Sequence, residues 1–183
     1  MGIFDKFKSK KEDEAPIELD VELKNIEVKD MLDFEADTFT VEKKYKNEYG
    51  PITTDEWQLK SSDGQGVIYL EREEDDEVEW SISKDIEFSD AGLDEDELVA
   101  DWNSDDPTLP EKVTFNGEEY WVDENEGFET GKCNGEEYIY VTYYTDDEEQ
   151  EVTIEQWNET DFSINHTRYV EEYEFSNILK GAK

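Results

Sequence analysis

Residues 134–157 constrain the fold more than any other stretch. Asn134-Gly135 opens it, and Asn-Gly is a strong hairpin signal because a type I′ turn needs positive φ at both central residues. In the segment that follows, Tyr138, Ile139, Tyr140, Val141, Thr142, Tyr143 and Tyr144 are aromatic or β-branched without a break. Such side chains suit a pleated surface buried on at least one side. Asp146 to Glu149 reads as an acidic turn, and Gln150 to Trp157 as the return strand, with Val152 and Ile154 keeping the pattern.

The remaining segments read as attachments to this hairpin or as copies of it. Residues 17–34 end in Met31-Leu32-Asp33-Phe34, a short strand or turn, and Thr38 to Tyr45 forms the next strand. Asn47 to Pro51 reads as a turn, Trp57-Gln58-Leu59 opens a strand, and Asp63-Gly64 is a second hairpin signal. Val67 to Arg72 follows, then an acidic turn at Glu73 to Asp76. Val78, Trp80 and Ile82 alternate with Glu79 and Ser81, which predicts one buried face and one wet face. Ser89 or Asp90 is placed to cap a short helix near 93–102, where Leu98 and Trp102 share a side. The second half returns to β structure. Val113 and Phe115 precede Asn116-Gly117, Tyr120 and Val122 follow, Glu124 to Gly131 reads as loop or irregular strand, Phe162 and Ile164 alternate, and Tyr169, Tyr173 and Phe175 suggest one last strand.

The halves echo one another. Phe34 to Val41 lies over Phe115 to Val122, Leu70-Glu71 over Ile154-Glu155, and Trp80-Ser81-Ile82 over Phe162-Ser163-Ile164, at nearly constant spacing. The expected fold is therefore all-β and mainly antiparallel, with two pseudo-repeated meanders packed as a sandwich or as partly open barrels. Its parts would be an N-terminal tail and linker over 1–18, a first half over 19–104 and a second over 105–183.

This order of motifs resembles a bacterial domain of unknown function, DUF4178. The likeness spans roughly residues 25–175. It rests on the apolar start at Met31, the Thr38-Phe39-Thr40-Val41 strand, Trp57-Gln58-Leu59, Val78 to Ile82, the Phe115 to Val122 hairpin and Thr153 to Trp157. Members often carry a Gly-Asp turn where this chain has Lys29-Asp30. The resemblance implies no assigned activity and no catalytic residues. Its genes often stand near those for phage-shock-type membrane proteins and spermidine-synthase-like enzymes, an association without a mechanism.

Charge sets the other limits. The net charge is −37 from 54 acidic and 17 basic residues. Lys6, Lys8, Lys10 and Lys11 give the first eleven residues a local +3, so the remainder carries −40. Such a body repels nucleic acid and attracts cations, polyamines or a basic protein partner, although solubility or salt adaptation alone would also produce it. Ile3, Phe4 and Phe7 would share one helical face with Lys6 and Lys8 on the other, a candidate contact with a membrane surface or a partner. The segment lacks a secretory core, and no apolar run approaches the ~18 residues that span a bilayer, so the expected location is the cytoplasm.

No catalytic, cofactor or metal constellation stands out. His166 is the sole histidine and Cys133 the sole cysteine, which excludes an internal disulfide and leaves a His–Cys pair conceivable only through the fold. Gly64-Gln65-Gly66 lacks the following helix of a phosphate loop, and Asp123 to Gly127 misplaces the glycine of a calcium loop. Glu71 and Glu155 are the exception in interest. They hold equivalent places in the two halves; the plain reading is a solvated strand position for each, whereas packing of the halves about a pseudo-twofold would bring them together as a carboxylate pair with one raised pKa. The leading expectation is a non-catalytic accessory module of a membrane-stress or maintenance system. A polyamine- or cation-binding protein, or an inhibitor imitating DNA, are the alternatives. An enzyme with paired carboxylates would require a cleft that gathers them.

Overall fold

The computed structural model describes residues 21–64, 66–122 and 127–181. The N-terminal tail, with Ile3, Phe4, Lys6, Phe7 and Lys8, and most of the Asp123 to Gly127 loop lie outside the described residues.

Turn chemistry frames the fold. Asn116-Gly117 and Asn134-Gly135 hold φ of 53° and 89°, and of 51° and 87°, as a type I′ turn requires. They join β6 (Lys112–Phe115) to β7 (Glu118–Trp121), and β8 (Glu129–Cys133) to β9 (Glu136–Tyr144). The first half supplies β1 (Met31–Phe34), β2 (Asp37–Tyr49), β3 (Ile52–Ser61), β4 (Val67–Glu74) and β5 (Val78–Asp85). The second adds β10 (Gln150–Asn158), β11 (Asp161–Val170) and β12 (Phe175–Leu179). Several strands outrun their sequence limits. β2 continues to Tyr49, which narrows the expected turn to Gly50-Pro51, and Glu73 and Glu74 still belong to β4. Tyr173 lies in a 3-10 turn between β11 and β12, 83% exposed, so Tyr169 and Phe175 sit on different strands.

All the strands pair antiparallel, in the order β12-β1-β2-β3-β4-β5-β11-β10-β9-β7-β6. The short strand β8 then bridges β2 and β9, with Tyr49 opposite Gly131 and Gly131 opposite Tyr138. The run β2-β3-β4-β5-β11-β10-β9-β8 therefore closes into an eight-stranded barrel, with both halves contributing wall. A closed barrel stands where a sandwich or partly open barrels were expected. Closure pairs the backbone groups that an open sheet would leave unpaired at its edges.

The apolar side chains lie outside this wall. A bulge between Val41 and Lys43 lets the first part of β2 leave the barrel with β1 and β12. This flap covers the outer faces of β3, β4 and β5, enclosing Leu32, Phe34, Val41, Trp57, Leu70 and Ile82 with Leu23 and Ile26 of the preceding 3-10 turn. The Trp57 indole N–H donates to the Ile26 carbonyl at 3.1 Å and ties that turn down. On the other half, β6, β7 and helix α1 (Glu95–Trp102) cover β9, β10 and β11 around Leu98, Trp102, Val113, Val141, Tyr143 and Ile154. The cap of α1 is Asp94, whose carboxylate accepts from the Glu97 N–H at 3.0 Å. Ser89 and Asp90 instead belong to the 3-10 turn before it.

Lys29 occupies the position where the resemblance places a glycine. Its φ is 80°, a left-handed conformation that costs a residue with a Cβ about 1–2 kcal/mol. The neighbouring Asp30 is 3% exposed and accepts from Glu27 N, Lys180 Nζ and Gly181 N, so it fastens the end of the chain beside the first strand.

Candidate ligand site in the barrel interior

With the apolar residues facing outward, the alternate residues of each strand face into the barrel. They are polar, acidic or aromatic. They surround a cavity of about 510 Å³, within the range of small-molecule sites. Among the described residues seven carboxylates and seven tyrosines line it, and none of the lining residues is Lys, Arg or His. The wet face predicted for β5 is this lining: Ser81, Ser83 and Asp85 point inward while Trp80 and Ile82 enter the outer core.

Glu71 and Glu155 both line the interior, but on β4 and β10, three strands apart in the wall, so the expected pairing of these two carboxylates is not formed. Each carboxylate is held by neutral donors. Glu71 Oε2 accepts from Asn47 Nδ2 at 2.9 Å and from the Tyr49 hydroxyl at 3.1 Å. Glu155 Oε2 accepts from Ser163 Oγ at 2.7 Å and Trp157 Nε1 at 3.1 Å, and its Oε1 from Asn165 Nδ2 at 3.4 Å. Burial nonetheless raises both pKa values above the ordinary carboxylate range, with the hydrogen bonds opposing. Asp85 is raised by burial as well.

Glu56 is the interior carboxylate that sequence reasoning missed. It sits opposite Glu71 in the β3–β4 register, and Asn47 Nδ2 also reaches its Oε2, at 3.2 Å. Burial first, then the charges of Glu71 and Glu155, push its carboxyl up to about 8. Two like charges ~5 Å apart repel by about 3 kcal/mol at most, at an effective dielectric of ~20, a contribution that adds to the larger one from burial. Its only sequence signal was the alternation Thr54, Glu56, Gln58, which shares one side of a strand.

Aromatic rings build the rest of the lining. Tyr138 stacks on Trp157 at 4.4 Å between centroids, and Tyr140 stands 5.7 Å from Tyr49 and 5.8 Å from Tyr138. Gly131 makes room for them, because a Cβ there would lie 2.8 Å from the Tyr138 ring. Near one rim Glu73 pairs with Glu79 in register, and the half-exposed Tyr169 donates to Glu151 at 2.6 Å. Asn47 is 3% exposed, and its Oδ1 has no hydrogen-bond donor among the described residues.

The other candidates separate. Cys133 lines the cavity, where burial and the surrounding glutamates raise its thiol to about 11 and leave it protonated. His166 lies on the outer side of the wall, 4.9 Å from the Phe115 ring, with Nε2 3.0 Å from Gln150 Oε1. The two therefore face opposite sides of the sheet. Among the described residues, no three His, Cys, Asp or Glu side chains converge as a metal site, and no helix is long and apolar enough to cross a membrane.

Fold and site together define a closed antiparallel β-barrel with a hollow, anionic, tyrosine-rich interior. The chain belongs to the DUF4178 family, described as a domain of unknown function, whose family model matches residues 27–172. No curated protein and no solved structure matches it.

Proposed function

We propose that the barrel binds a positively charged organic molecule in its interior, with linear polyamines as the leading class. The observation that carries this reading is a ligand-sized cavity with seven carboxylates and, among the described residues, no basic side chain in its lining. Buried negative charge without a partner is costly, and a bound cation offsets that cost. The tyrosine faces add cation–π attraction. Asn47 Oδ1 supplies an acceptor that an N–H donor would satisfy. Glu56 on β3 and Glu155 on β10 lie four strands apart either way round the barrel, so a ligand with more than one ammonium group suits both walls.

We also infer that the halves arose by duplication. The palindromic strand order, with β1 to β5 mirrored by β6, β7, β9, β10 and β11, supports it, and so do the equivalent places of Glu71 and Glu155. The accessory role expected at a membrane rests on the charge reversal of the tail, the lack of a catalytic motif in the sequence and the family resemblance, and the cation reading stands apart from it.

Calorimetry of the full chain with 1,4-diaminobutane and spermidine tests the reading. Binding should persist at 0.15 M and at 0.5 M salt, since buried contacts are screened less than surface ones. Glu71→Gln and Glu155→Gln should each weaken it about tenfold or more, whereas Glu95→Gln on exposed α1 should not. Binding that vanishes at ~0.15 M salt, or that ignores both interior variants, would refute it.

A further inference from the structure

The β3–β4 pairing places two acids where the surroundings tolerate one negative charge. Glu56 and Glu71 are direct register partners on the inner face, and such partners stand about 4.5–5.5 Å apart at Cβ. A single amide group, Asn47 Nδ2, donates to both. Glu71 has the shorter contact and the Tyr49 hydroxyl besides, so it is the better-held carboxylate, and Glu56 is the one that takes up a proton. The other titratable groups around the pair give no relief. Strand β2 brings Tyr45 and Tyr49, β4 brings Tyr69 and Glu73, and β5 brings Glu79 and Asp85. From the far wall come Cys133, Tyr138 and Tyr140, Glu151 and Glu155, with Tyr144 and Tyr169 nearer the rim. All are neutral or negative at pH 7.

We propose that the Glu56–Glu71 pair shares one proton until a protonated amine binds, and that this proton then leaves to solvent, so that ligand uptake is coupled to proton release. The proposal rests on the cation reading above and adds its regulation. The balance is simple. The Glu56 O–H bond breaks, its proton passes to buffer, the amine keeps its own protons, and N–H···O contacts take the place of the lost O–H. No electrons move. The rise of the Glu56 carboxyl to about 8 agrees with this geometry. Rising pH therefore strengthens uptake up to about pH 8 and has little effect on this pair beyond it.

The test is calorimetry of the full chain with 1,4-diaminobutane, repeated at pH 7 in phosphate and in Tris, whose ionisation enthalpies differ. The difference in heat counts protons. The expected count is about 0.9 proton released per ligand at pH 7, falling toward zero above pH 9, from the pKa of about 8. Glu56→Gln should still bind and release none. Glu71→Gln, which removes the paired charge but not the burial of Glu56, should release fewer protons at pH 7 than wild type and serves if the first variant fails to fold. Independently of any ligand, infrared spectra at pH 7 should show a protonated-carboxyl carbonyl band that Glu56→Gln removes. Amine binding without proton release, or absence of that band, overturns the proposal and leaves the cation reading standing. Failure of the diamine to bind at all overturns both.

Discussion

Replacing Glu56 by Gln should stabilise the protein, and more so as pH rises. In the folded state burial and the charges of Glu71 and Glu155 raise this carboxyl from 4.5 to about 8. Between those values the folded chain keeps a proton that the unfolded chain has already lost. Stability therefore falls as pH rises from about 4.5 to 8 and levels off beyond. The separation of about 3.5 pH units corresponds to about 5 kcal/mol at most, at 1.36 kcal/mol per unit, and the portion lying between pH 6 and pH 9 to roughly 3 kcal/mol. Relaxation around the cavity reduces the observable portion to about 1–3 kcal/mol. Glutamine has nearly the same shape, can donate to Glu71 and does not ionise. Urea unfolding of both proteins at pH 6, 7.5 and 9 measures the gap between them. It should widen with pH in favour of the variant. Carboxylates on the outer surface are common to both proteins and cancel in the comparison. A gap that stays constant, or that closes at pH 9, would refute the electrostatic account of the interior.

Other substitutions test the parts that hold the barrel. Ile154→Ala empties a fully buried position in the second outer core and should cost about 2–5 kcal/mol in urea unfolding, with the tyrosine-lined cavity unaltered. Lys29→Gly relieves a φ of 80° and should raise stability by about 0.5–1 kcal/mol, less than the full left-handed penalty because glycine loosens the unfolded chain. Asp30→Ala removes the acceptor for Glu27 N, Lys180 Nζ and Gly181 N, and should speed amide exchange along β12 before the rest of the sheet. Burial works against ionisation of Asp30, but the bonds from Gly181, Lys180 and Glu27 outweigh it and lower its pKa. Its contribution is thus present above about pH 4 and lost as pH falls through its folded value, so wild type and Asp30→Ala should converge in acid. Gly131→Ala sets a Cβ 2.8 Å from the Tyr138 ring and should cost about 1–3 kcal/mol while shifting Trp157 fluorescence through the Tyr138 stack.

Most of the wall was legible in the sequence. The two Asn-Gly turns, the aromatic run through Tyr144 and the alternation around Trp80 each produced the expected strand, because turn conformation and period-2 burial are local properties. The direction of curvature was not legible. Alternation says that Ser81, Ser83 and Asp85 share a side, yet the same pattern fits a sheet with its wet side turned outward to bulk water. What turns that side inward is the β8 bridge, made by five residues including Gly131, Lys132 and Cys133, a stretch with little β propensity that read as irregular. The site divides in the same way. Glu71 and Glu155 were singled out by the expected repeat, though as a pair that the fold keeps three strands apart, whereas Glu56 has no counterpart in that alignment and becomes visible only when β3 lies against β4.

The two outer cores give each wall strand a separate occupation on each side. Leu70, Ile82 and Ile154 provide cohesion, while Glu71, Ser83 and Glu155, one residue away, present chemistry to the lumen. Exchanging small inward residues such as Thr142, Thr153 or Ser163 leaves the hydrophobic contacts untouched. A lineage with this architecture is free to retune what its lumen receives without reopening the problem of how the chain folds.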